Sequence, residues 1–171
     1  MNDIMLDLET LGTRTTSAII QIGACYFDRT TGEIGETFTA NVKYEGDSFT
    51  TDYSTIRWWL TQSEEARQGV TREAVDIKEA LYALSLFMSE GKYLWSHATF
   101  DVPILLNAYH VCGKTMPIHY VNMRDIRTLM DIADHKSEKK RDGVHHNGLD
   151  DCKYQVGYVV EALNKLSTST R

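Results

Sequence analysis

The chain has 171 residues, the size of one domain, and it is long enough to bury a sizeable core without disulfides or metals. Hydrophobic residues make up 42% and charged residues 25% of it, as in soluble globular proteins, and no apolar run approaches the length of a membrane span. The formal charge of −6 excludes a basic protein that coats long duplexes, because Lys and Arg normally drive phosphate binding.

The N-terminus and the cysteines carry no signal for export or disulfide formation. Residues 1–3 (Met-Asn-Asp) lack the positive start and apolar core of a signal peptide, which predicts a cytoplasmic protein. Cys25, Cys112 and Cys152 are far apart and odd in number, so we interpret them as small buried hydrophobic side chains. The whole chain, 1–171, is predicted to be a single domain with a disordered tail at about 167–171.

The first predicted element is a short buried strand in the stretch Met-Leu-Asp-Leu-Glu-Thr-Leu-Gly, residues 5–12. Asp7 and Glu9 lie two residues apart in it, and the period of a strand is two, so both carboxylates are predicted to point to one face. The other face would carry apolar side chains into the core, namely Ile4, Leu6 and Leu8.

Two further strands follow the first. Residues 16–28 are rich in Ile and aromatic side chains, and residues 33–42 alternate between apolar and polar. Residues 29–32 form a turn with Gly at its end, which predicts a hairpin between these strands. The chain therefore opens as an antiparallel three-stranded unit.

From Ser54 onward most of the pattern is helical. Asp76 resembles the first residue of a capping box, and Asp125 is predicted to cap a later helix. The predicted helices are residues 54–62, 63–67, 76–88, 102–111 and 125–132, with a last one that opens near residue 146 and carries an apolar stripe to residue 166. Strands are predicted at 93–95 and 119–121, and residues 136–142 form a charged loop. This order predicts an α/β domain around one mixed sheet.

The negative charge of the carboxylate pair on the first strand can be compensated in three ways. Each isolated buried charge costs several kcal/mol to desolvate, so the pair must bind cations, share a proton or face water. Most such pairs are simply solvated positions at a sheet edge. Hard divalent cations such as Mg²⁺ are the common solution where the pair is buried, because they prefer oxygen ligands.

Three more polar residues join the pair. Asp101 follows the strand at 93–95 and lies at a strand-to-helix junction, where ligands gather in α/β sheets, although a helix N-cap is an alternative. His146 and Asp151 open the last helix, five residues apart, with Gly148 between them giving close backbone approach. The alternatives are a solvated histidine and an acid that the helix dipole favours.

Hydrolysis of a phosphodiester needs these groups together. Two metal ions roughly 3.5–4 Å apart clamp the attacking and leaving oxygens, and several carboxylates must hold them. A histidine near neutral pKa can take the proton of the attacking water at pH 7. Two divalent cations carry four positive charges, so the net charge of the protein with both ions bound would be −2. Such a protein is expected to bind a short stretch of nucleic acid, such as a strand end.

Three motifs carry a family resemblance: M-L-D-L-E-T-L-G, S-H-A-T-F-D and H-N-G-L-D-D. They are similar to the exonuclease motifs of the DEDDh (DnaQ-like) 3′–5′ exonucleases. The segments at residues 55–67 and 124–128 look like the branch that contains exonuclease A of T-even phages and exonuclease VIII, which places the protein in a bacterial or phage-infected cytoplasm. The resemblance covers roughly residues 3–163.

The resemblance implies a ribonuclease-H-like fold, with a five-stranded mixed sheet that has one antiparallel strand and flanking helices. It implies two Mg²⁺ ions, with Mn²⁺ as a substitute, release of nucleoside 5′-monophosphates from single-stranded DNA or RNA 3′ ends, and a homodimer. Asp7 would bridge both ions, Glu9 and Asp151 would complete one site, Asp101 would support the other, and His146 would activate the water.

Further residues are predicted to contact substrate. In the family, the turn at Thr10 and Leu11 contacts the terminal nucleotide, with a purely structural turn as the alternative. His97 stands where many members carry Asn, and it is either a phosphate donor or a packing residue. Of the adjacent Trp58 and Trp59, one is predicted to pack in the core; Trp59 is our candidate for stacking on a base, which typically contributes ~1–3 kcal/mol.

Four alternatives stay open at this point. His145 and Asp150 are also five residues apart, which gives a rival register; His146 with Asp151 fits the family better because Gly148 then occupies its small slot. The substrate is DNA, which we favour, or RNA. A catalytically silent nucleic-acid-binding module is a more distant possibility. The basic residues of the charged loop either steer the nucleic-acid backbone or are solvated: Lys136, Lys139, Lys140 and Arg141.

Overall fold

The centre of the protein is the first strand, β1 (Asp3–Thr10), which is buried along its whole length in the computed structural model. The structure describes residues 1–137 and 140–169. The other strands are β2 (Ile19–Phe27), β3 (Ile34–Asn41), β4 (Tyr93–Ser96) and β5 (Met123–Asp125). They form one five-stranded sheet in the order β3-β2-β1-β4-β5. Only β2 runs against its neighbours, so the predicted mixed sheet with one antiparallel strand is confirmed.

The period of β1 divides its side chains between two cores. Ile4, Leu6 and Leu8 pack in one cluster with apolar side chains from the helices α3 (Ile77–Phe87) and α4 (Asp101–Val111). Met5 packs on the opposite face, in a cluster built largely by the helix α6 (Gly148–Ser169). The predicted alternation is therefore confirmed, and Asp7 and Glu9 lie on the face that α6 covers.

The shorter helices begin at polar caps. Helix α1 (Tyr53–Trp59) is capped by Asp52, whose side chain accepts from the Ser54 amide at 3.0 Å. Helix α2 (Glu64–Gly69) is capped by Ser63, and α5 (Ile126–Ile132) by Asp125. The helix predicted to start at Ser54 begins one residue earlier, because Asp52 and not Ser54 accepts from a free amide of its first turn.

Asp101 does not cap α4. Phe100 occupies the cap position and forms no side-chain hydrogen bond there, and Asp101 is the first helical residue. The carboxylate is therefore available for other contacts.

The last predicted strand was misplaced. Residues 119–121 are not a strand: Tyr120–Asn122 form a 3₁₀ turn, with Tyr120 72% and Val121 57% exposed. The strand is β5, which pairs in parallel with β4 from Leu94 opposite Met123 to Ser96 opposite Asp125. Pairing with β4 decides the position, and a run of three residues carries too little pattern to reveal it.

The predicted disordered tail is wrong for its first residues. Helix α6 continues to Ser169, and Ser167 Oγ donates to the Leu163 carbonyl at 2.9 Å. Residues 170 and 171 lie outside the described residues. Among the described helices, none is both long and apolar enough to span a bilayer.

The three cysteine thiols are free, and two of them, Cys25 and Cys152, are fully buried. Both pack in the core cluster under α6, as the sequence predicted for small hydrophobic side chains.

A pair of glycines sets how closely α6 approaches the sheet. A Cβ atom placed on Gly23 of β2 would lie 2.1 Å from the carbonyl carbon of Gly148, the first residue of α6. Gly148 also donates its amide to Gln21 Oε1 at 2.6 Å. Because Gly23 is the register partner of Asp7, this contact holds the start of α6 over the first carboxylate.

We predict that Gly23→Ala destabilises the protein by about 3 kcal/mol or more, because backbone atoms would have to move to admit the methyl group. Urea unfolding measures the change. Gly69→Ala is the matched control, since its Cβ would meet only Asn147 Nδ2, at 3.6 Å. An equal effect of both substitutions would contradict the close-approach argument.

Candidate active site

Three carboxylates converge at the carboxyl end of β1. Asp7 and Glu9 come from the strand and Asp151 from the first turn of α6, and one oxygen of each lies within 4.8 Å of the others. All three side chains are largely buried. The structure thus brings together residues from the two ends of the chain, as the motifs predicted.

Asp101 completes the group from α4. It is 1% exposed, and its Oδ1 accepts a hydrogen bond from the Leu8 amide at 3.3 Å. Within the described part of the chain, its Oδ2 is buried without a hydrogen-bond partner. A buried carboxylate oxygen without a donor is an expected ligand for a hard cation, so these residues fit a divalent metal.

Burial and mutual repulsion raise the pKa values of these acids. The pKa of Glu9 rises from 4.5 to about 9, first through desolvation and then through the charges of Asp7 and Asp101. Desolvation also raises the pKa of Asp7 from 3.8 to about 6, and the pKa of Asp101 lies well above its ordinary value for the same reason. The cluster therefore favours added positive charge, as protons or as a cation.

Gln155 holds Asp7 in place. Its Nε2 donates to Asp7 Oδ1 at 2.7 Å, and this contact lowers the pKa of Asp7 against the desolvation. Sequence reasoning did not single out Gln155. The available signal was its position four residues after Asp151, which puts both side chains on one face of α6.

Arg141 forms an ion pair with Asp151 inside the cleft. Its guanidinium carbon lies 4.5 Å from the centre of the Tyr154 ring, and its charge lowers the pKa values of Asp7 and Glu9. Arg141 was predicted as part of a basic loop. Lys136 and Lys140 of that loop are exposed, and Lys139 lies outside the described residues.

His146 lies beside the carboxylates in a constrained conformation. Its φ of 64° is left-handed, which is unusual for a residue other than glycine. Its ring stacks on His145 at 3.7 Å between centroids and meets the edge of Trp58 at 4.5 Å. Desolvation, with the charges of His145 and Arg141, lowers the pKa of His146 to about 4. The imidazole is therefore neutral at pH 7.

The two acids of the rival registers occupy different positions. Asp151 joins the carboxylate cluster, whereas Asp150 Oδ2 accepts from the Val144 amide at 2.9 Å and supports the loop. His145 and His146 each place a ring nitrogen within 4.8 Å of an Asp151 oxygen, so the geometry groups both imidazoles with Asp151.

The carboxylates line a cleft of about 350 Å³. A second cavity of about 470 Å³, which we name the terminal cavity, adjoins it and shares Glu9 and Phe100 with it. The terminal cavity is also lined by Thr10, Thr55 and Trp58.

The prediction for Trp59 is corrected by the structure. Trp59 is 7% exposed, and its Nε1 donates to the Thr10 carbonyl at 2.9 Å. It therefore supports the turn after β1 from the protein interior. Trp58, which is 41% exposed, lines the terminal cavity instead. Leu11 packs against the cluster around Trp59 and does not line the terminal cavity.

Thr10 and His97 lie where substrate could reach them. Thr10 lines the terminal cavity, and its hydroxyl donates to the Gly12 carbonyl at 2.7 Å. His97 lines the acidic cleft, and its Nδ1 is buried without a hydrogen-bond partner in the described part of the chain. Desolvation lowers the pKa of His97 to about 4.

A family model matches residues 2–163, and its description is the 3′–5′ exoribonuclease Rv2179c-like domain. The chain belongs to this family. An exodeoxyribonuclease of Enterobacteria phage T4 is 27% identical over an alignment of 165 positions, which covers 75% of this chain and 70% of the phage protein. The family match and the phage relative confirm the family resemblance that the three sequence motifs indicated.

Solved structures show the same fold. A 3′-exonuclease described with a histone mRNA stem-loop superposes with a TM-score of 0.71 and 17% identity, covering 95% of this chain and 81% of that one. Exonuclease X, described in complex with 5′ overhanging duplex DNA, superposes with a TM-score of 0.58 and 14% identity. The alignment covers 95% of this chain and 91% of exonuclease X. The sheet is therefore the predicted ribonuclease-H-like sheet of the DEDDh exonucleases.

The family establishes the class of reaction. The chain is a 3′–5′ exonuclease that hydrolyses phosphodiester bonds, and its acidic cluster fits the divalent metal on which such enzymes depend. The catalytically silent module therefore stays the more distant alternative.

We predict that, in EDTA, the melting temperature falls as the pH rises from 5 to 9. The pKa of Glu9 is raised from 4.5 to about 9 in the folded protein, so its favourable contribution is complete below about 4.5 and is lost as the pH passes 9. A fall of several degrees is expected, since 1 kcal/mol corresponds to roughly 2–4 °C. Differential scanning calorimetry measures it.

Glu9→Gln is the control for this prediction, because it keeps the shape and removes the titrating group. Its melting temperature should depend less on pH, and Mn²⁺ should raise it less than in the wild type. Equal pH slopes for wild type and variant would contradict the assignment of the effect to Glu9.

Proposed function

We propose that the protein is a two-metal-ion 3′–5′ exonuclease that removes nucleoside 5′-monophosphates from single-stranded 3′ ends, with DNA as the favoured substrate. The observation that carries the proposal is the convergence of Asp7, Glu9 and Asp151 in one buried cleft, with the unpartnered Oδ2 of Asp101 as the fourth carboxylate. The proposal treats the chain as one exonuclease domain.

The four carboxylates would hold Mg²⁺ or Mn²⁺. The resemblance to the family implies that Asp7 would bridge two ions, and the hydrogen bond from Gln155 to its Oδ1 would orient the carboxylate. Glu9 and Asp151 would complete one site, and Asp101 would support the other. Bound ions supply charge stabilisation to the attacking and leaving oxygens of an in-line displacement.

His146 would act as the general base. Because its pKa is lowered to about 4, the ring is neutral at pH 7 and has a nitrogen lone pair to accept the proton of the attacking water. Stacking between His145 and Trp58 limits the rotation of the imidazole. The left-handed backbone at His146 agrees with a functional role, since strained conformations cluster at active sites.

The terminal cavity would receive the 3′-terminal nucleotide. It adjoins Glu9, and the exposed face of Trp58 offers a surface on which a base can stack. Thr10 would contact the nucleotide from the turn after β1, while Trp59 and Leu11 would act beneath that turn as packing residues. His97 would donate to a phosphate from the far side of the cleft.

RNA is the second candidate substrate. The family description names an exoribonuclease, and the phage relative is named an exodeoxyribonuclease, so the two relatives point in different directions. The distinction depends on contacts to the 2′-hydroxyl. A homodimer also stays a prediction, which light scattering can measure.

The decisive experiment compares matched 5′-labelled single-stranded DNA, duplex DNA and RNA, each with Mg²⁺, Mn²⁺ or EDTA. We expect stepwise shortening from the 3′ end, release of nucleoside 5′-monophosphates, no activity in EDTA and the fastest turnover on single-stranded DNA. Faster turnover on RNA would favour the second candidate. Binding without release of mononucleotides would contradict the proposed activity.

Adjacent acids provide the matched control for the same assay. Asp151→Asn and His146→Ala should each lower kcat by roughly 100-fold or more, whereas Asp150→Asn should stay within about threefold of wild type. A side-chain oxygen of Asp150 accepts a hydrogen bond from the Val144 amide. Asparagine also has a side-chain oxygen that can accept this bond. Comparable losses in Asp150→Asn and Asp151→Asn would refute the assignment.

We predict that Gln155→Leu lowers kcat by roughly 10- to 100-fold and raises the metal concentration needed for half-maximal activity, because Asp7 loses the donor that orients it. A metal titration of activity on a labelled oligonucleotide measures both. Asn164→Leu, which makes the same amide-to-leucine change at an exposed position of α6, is the control. An unchanged metal requirement in Gln155→Leu would show that Asp7 does not need this contact.

A further inference from the structure

The acidic cleft continues into a third cavity that the proposed reaction does not yet use. This cavity, which we name the upstream cavity, has a volume of about 340 Å³ and is lined by His97, Arg127, Met130, Tyr154 and Tyr158 among others. Four of these also line the acidic cleft: His97, Arg127, Tyr154 and Tyr158. The upstream and terminal cavities share no lining residue, so each adjoins a different part of the cleft.

Among the residues that the structure describes, Arg127 is a cation available to a phosphate in this region. Arg127 and Arg141 both line the acidic cleft. Arg141 is paired with Asp151, whereas Arg127 is exposed and forms no ion pair among the residues that the structure describes. In a protein of net charge −6, an unpaired guanidinium beside four carboxylates is a specific electrostatic feature, because phosphate binding depends on such charges.

His97 adds a polar atom that lacks a partner. Its Nδ1 is buried and forms no hydrogen bond within the described ranges, although the ring lines both the cleft and the upstream cavity. Buried polar atoms are nearly always paired, so such an atom in the wall of a cavity indicates a missing partner. A phosphate or sugar oxygen is a partner of suitable chemistry.

Two tyrosines of α6 form part of the wall of the upstream cavity. Tyr154 and Tyr158 are four residues apart, and their rings meet edge to face with centroids 5.4 Å apart. Both line the upstream cavity. Burial raises the pKa of the Tyr158 phenol, so it stays protonated and keeps a hydroxyl donor. Aromatic walls of this kind accommodate sugars and bases without sequence preference.

We propose that His97, Arg127, Tyr154 and Tyr158 form a subsite for the nucleotide on the 5′ side of the scissile bond, with Arg127 bound to the 5′-phosphate of that nucleotide. The subsite rests on the proposed function, because it assumes that the terminal nucleotide lies in the terminal cavity and the scissile phosphate at the carboxylates. The strand would then continue across the cleft to the other side. The enzyme therefore discriminates in favour of substrates with at least two nucleotides.

A pair of substrates tests the subsite. Thymidine 5′-(p-nitrophenyl phosphate) offers one nucleotide and a chromogenic leaving group, whereas a 5′-labelled thymidine oligonucleotide also fills the upstream cavity. We expect Arg127→Gln to lower the ratio of kcat/KM for the oligonucleotide to kcat/KM for the ester by roughly 10- to 100-fold, the range for one lost charge-assisted hydrogen bond. Arg127→Lys should restore part of the ratio.

The salt dependence gives a second readout. The logarithm of kcat/KM for the oligonucleotide should fall less steeply with the logarithm of the salt concentration in Arg127→Gln, by a slope of about 0.7 for one phosphate contact on a single strand. Arg72→Gln makes the same change in net charge at an exposed position that lines none of the three cavities, so its ratio and slope should match the wild type.

The outcomes separate the subsite from the activity. An unchanged ratio in Arg127→Gln, or an equal loss in Arg72→Gln, would overturn the subsite while the nuclease assignment stands. A wild-type protein that hydrolyses neither substrate with Mg²⁺ or Mn²⁺ would overturn the proposed function and the subsite together. Because Arg127 is exposed, an unchanged melting temperature verifies that the variant is folded.

Discussion

Repulsion between buried carboxylates is the constraint on which the site depends. Asp7, Glu9 and Asp151 share a volume in which their oxygens lie within 4.8 Å of one another, and water is largely excluded. Such an arrangement persists only with nearby compensation. Gln155 donates to Asp7, Arg141 pairs with Asp151, and the raised pKa of Glu9 allows it to hold a proton. Bound divalent cations would add further compensation to these carboxylates.

Close backbone contact between α6 and the sheet helps to bring these acids together. The Asp7 segment of β1 faces α6, and α6 can lie against the sheet because Gly23 and Gly148 present no side chains at the crossing. A helix held farther out would carry Asp151 away from Asp7. The same helix carries Gln155 one turn later. A single helix therefore supplies both Asp151, a candidate metal ligand, and Gln155, the residue that orients Asp7.

The sequence predicted those parts of the fold and of the candidate site that depend on the local period of the side chains and on the spacing within motifs. The strand period placed Asp7 and Glu9 on one face, and the motif spacing paired Asp151 with His146. What it missed depends on tertiary contacts. Adjacent tryptophans on one helix cannot be ranked until the helix is docked, and β5 is defined by its pairing with β4. Arg127 belongs to the segment 124–128 that shares the family resemblance, but the segment alone does not show that its side chain lines the cleft, because that position follows from where β5 ends.

The ion pair between Arg141 and Asp151 has a consequence for metal loading. The Arg141 guanidinium already pairs with an Asp151 oxygen, so metal entry at Asp151 would be an exchange and not a simple addition. The apparent metal affinity would then be lowered by the free energy of the ion pair that is lost.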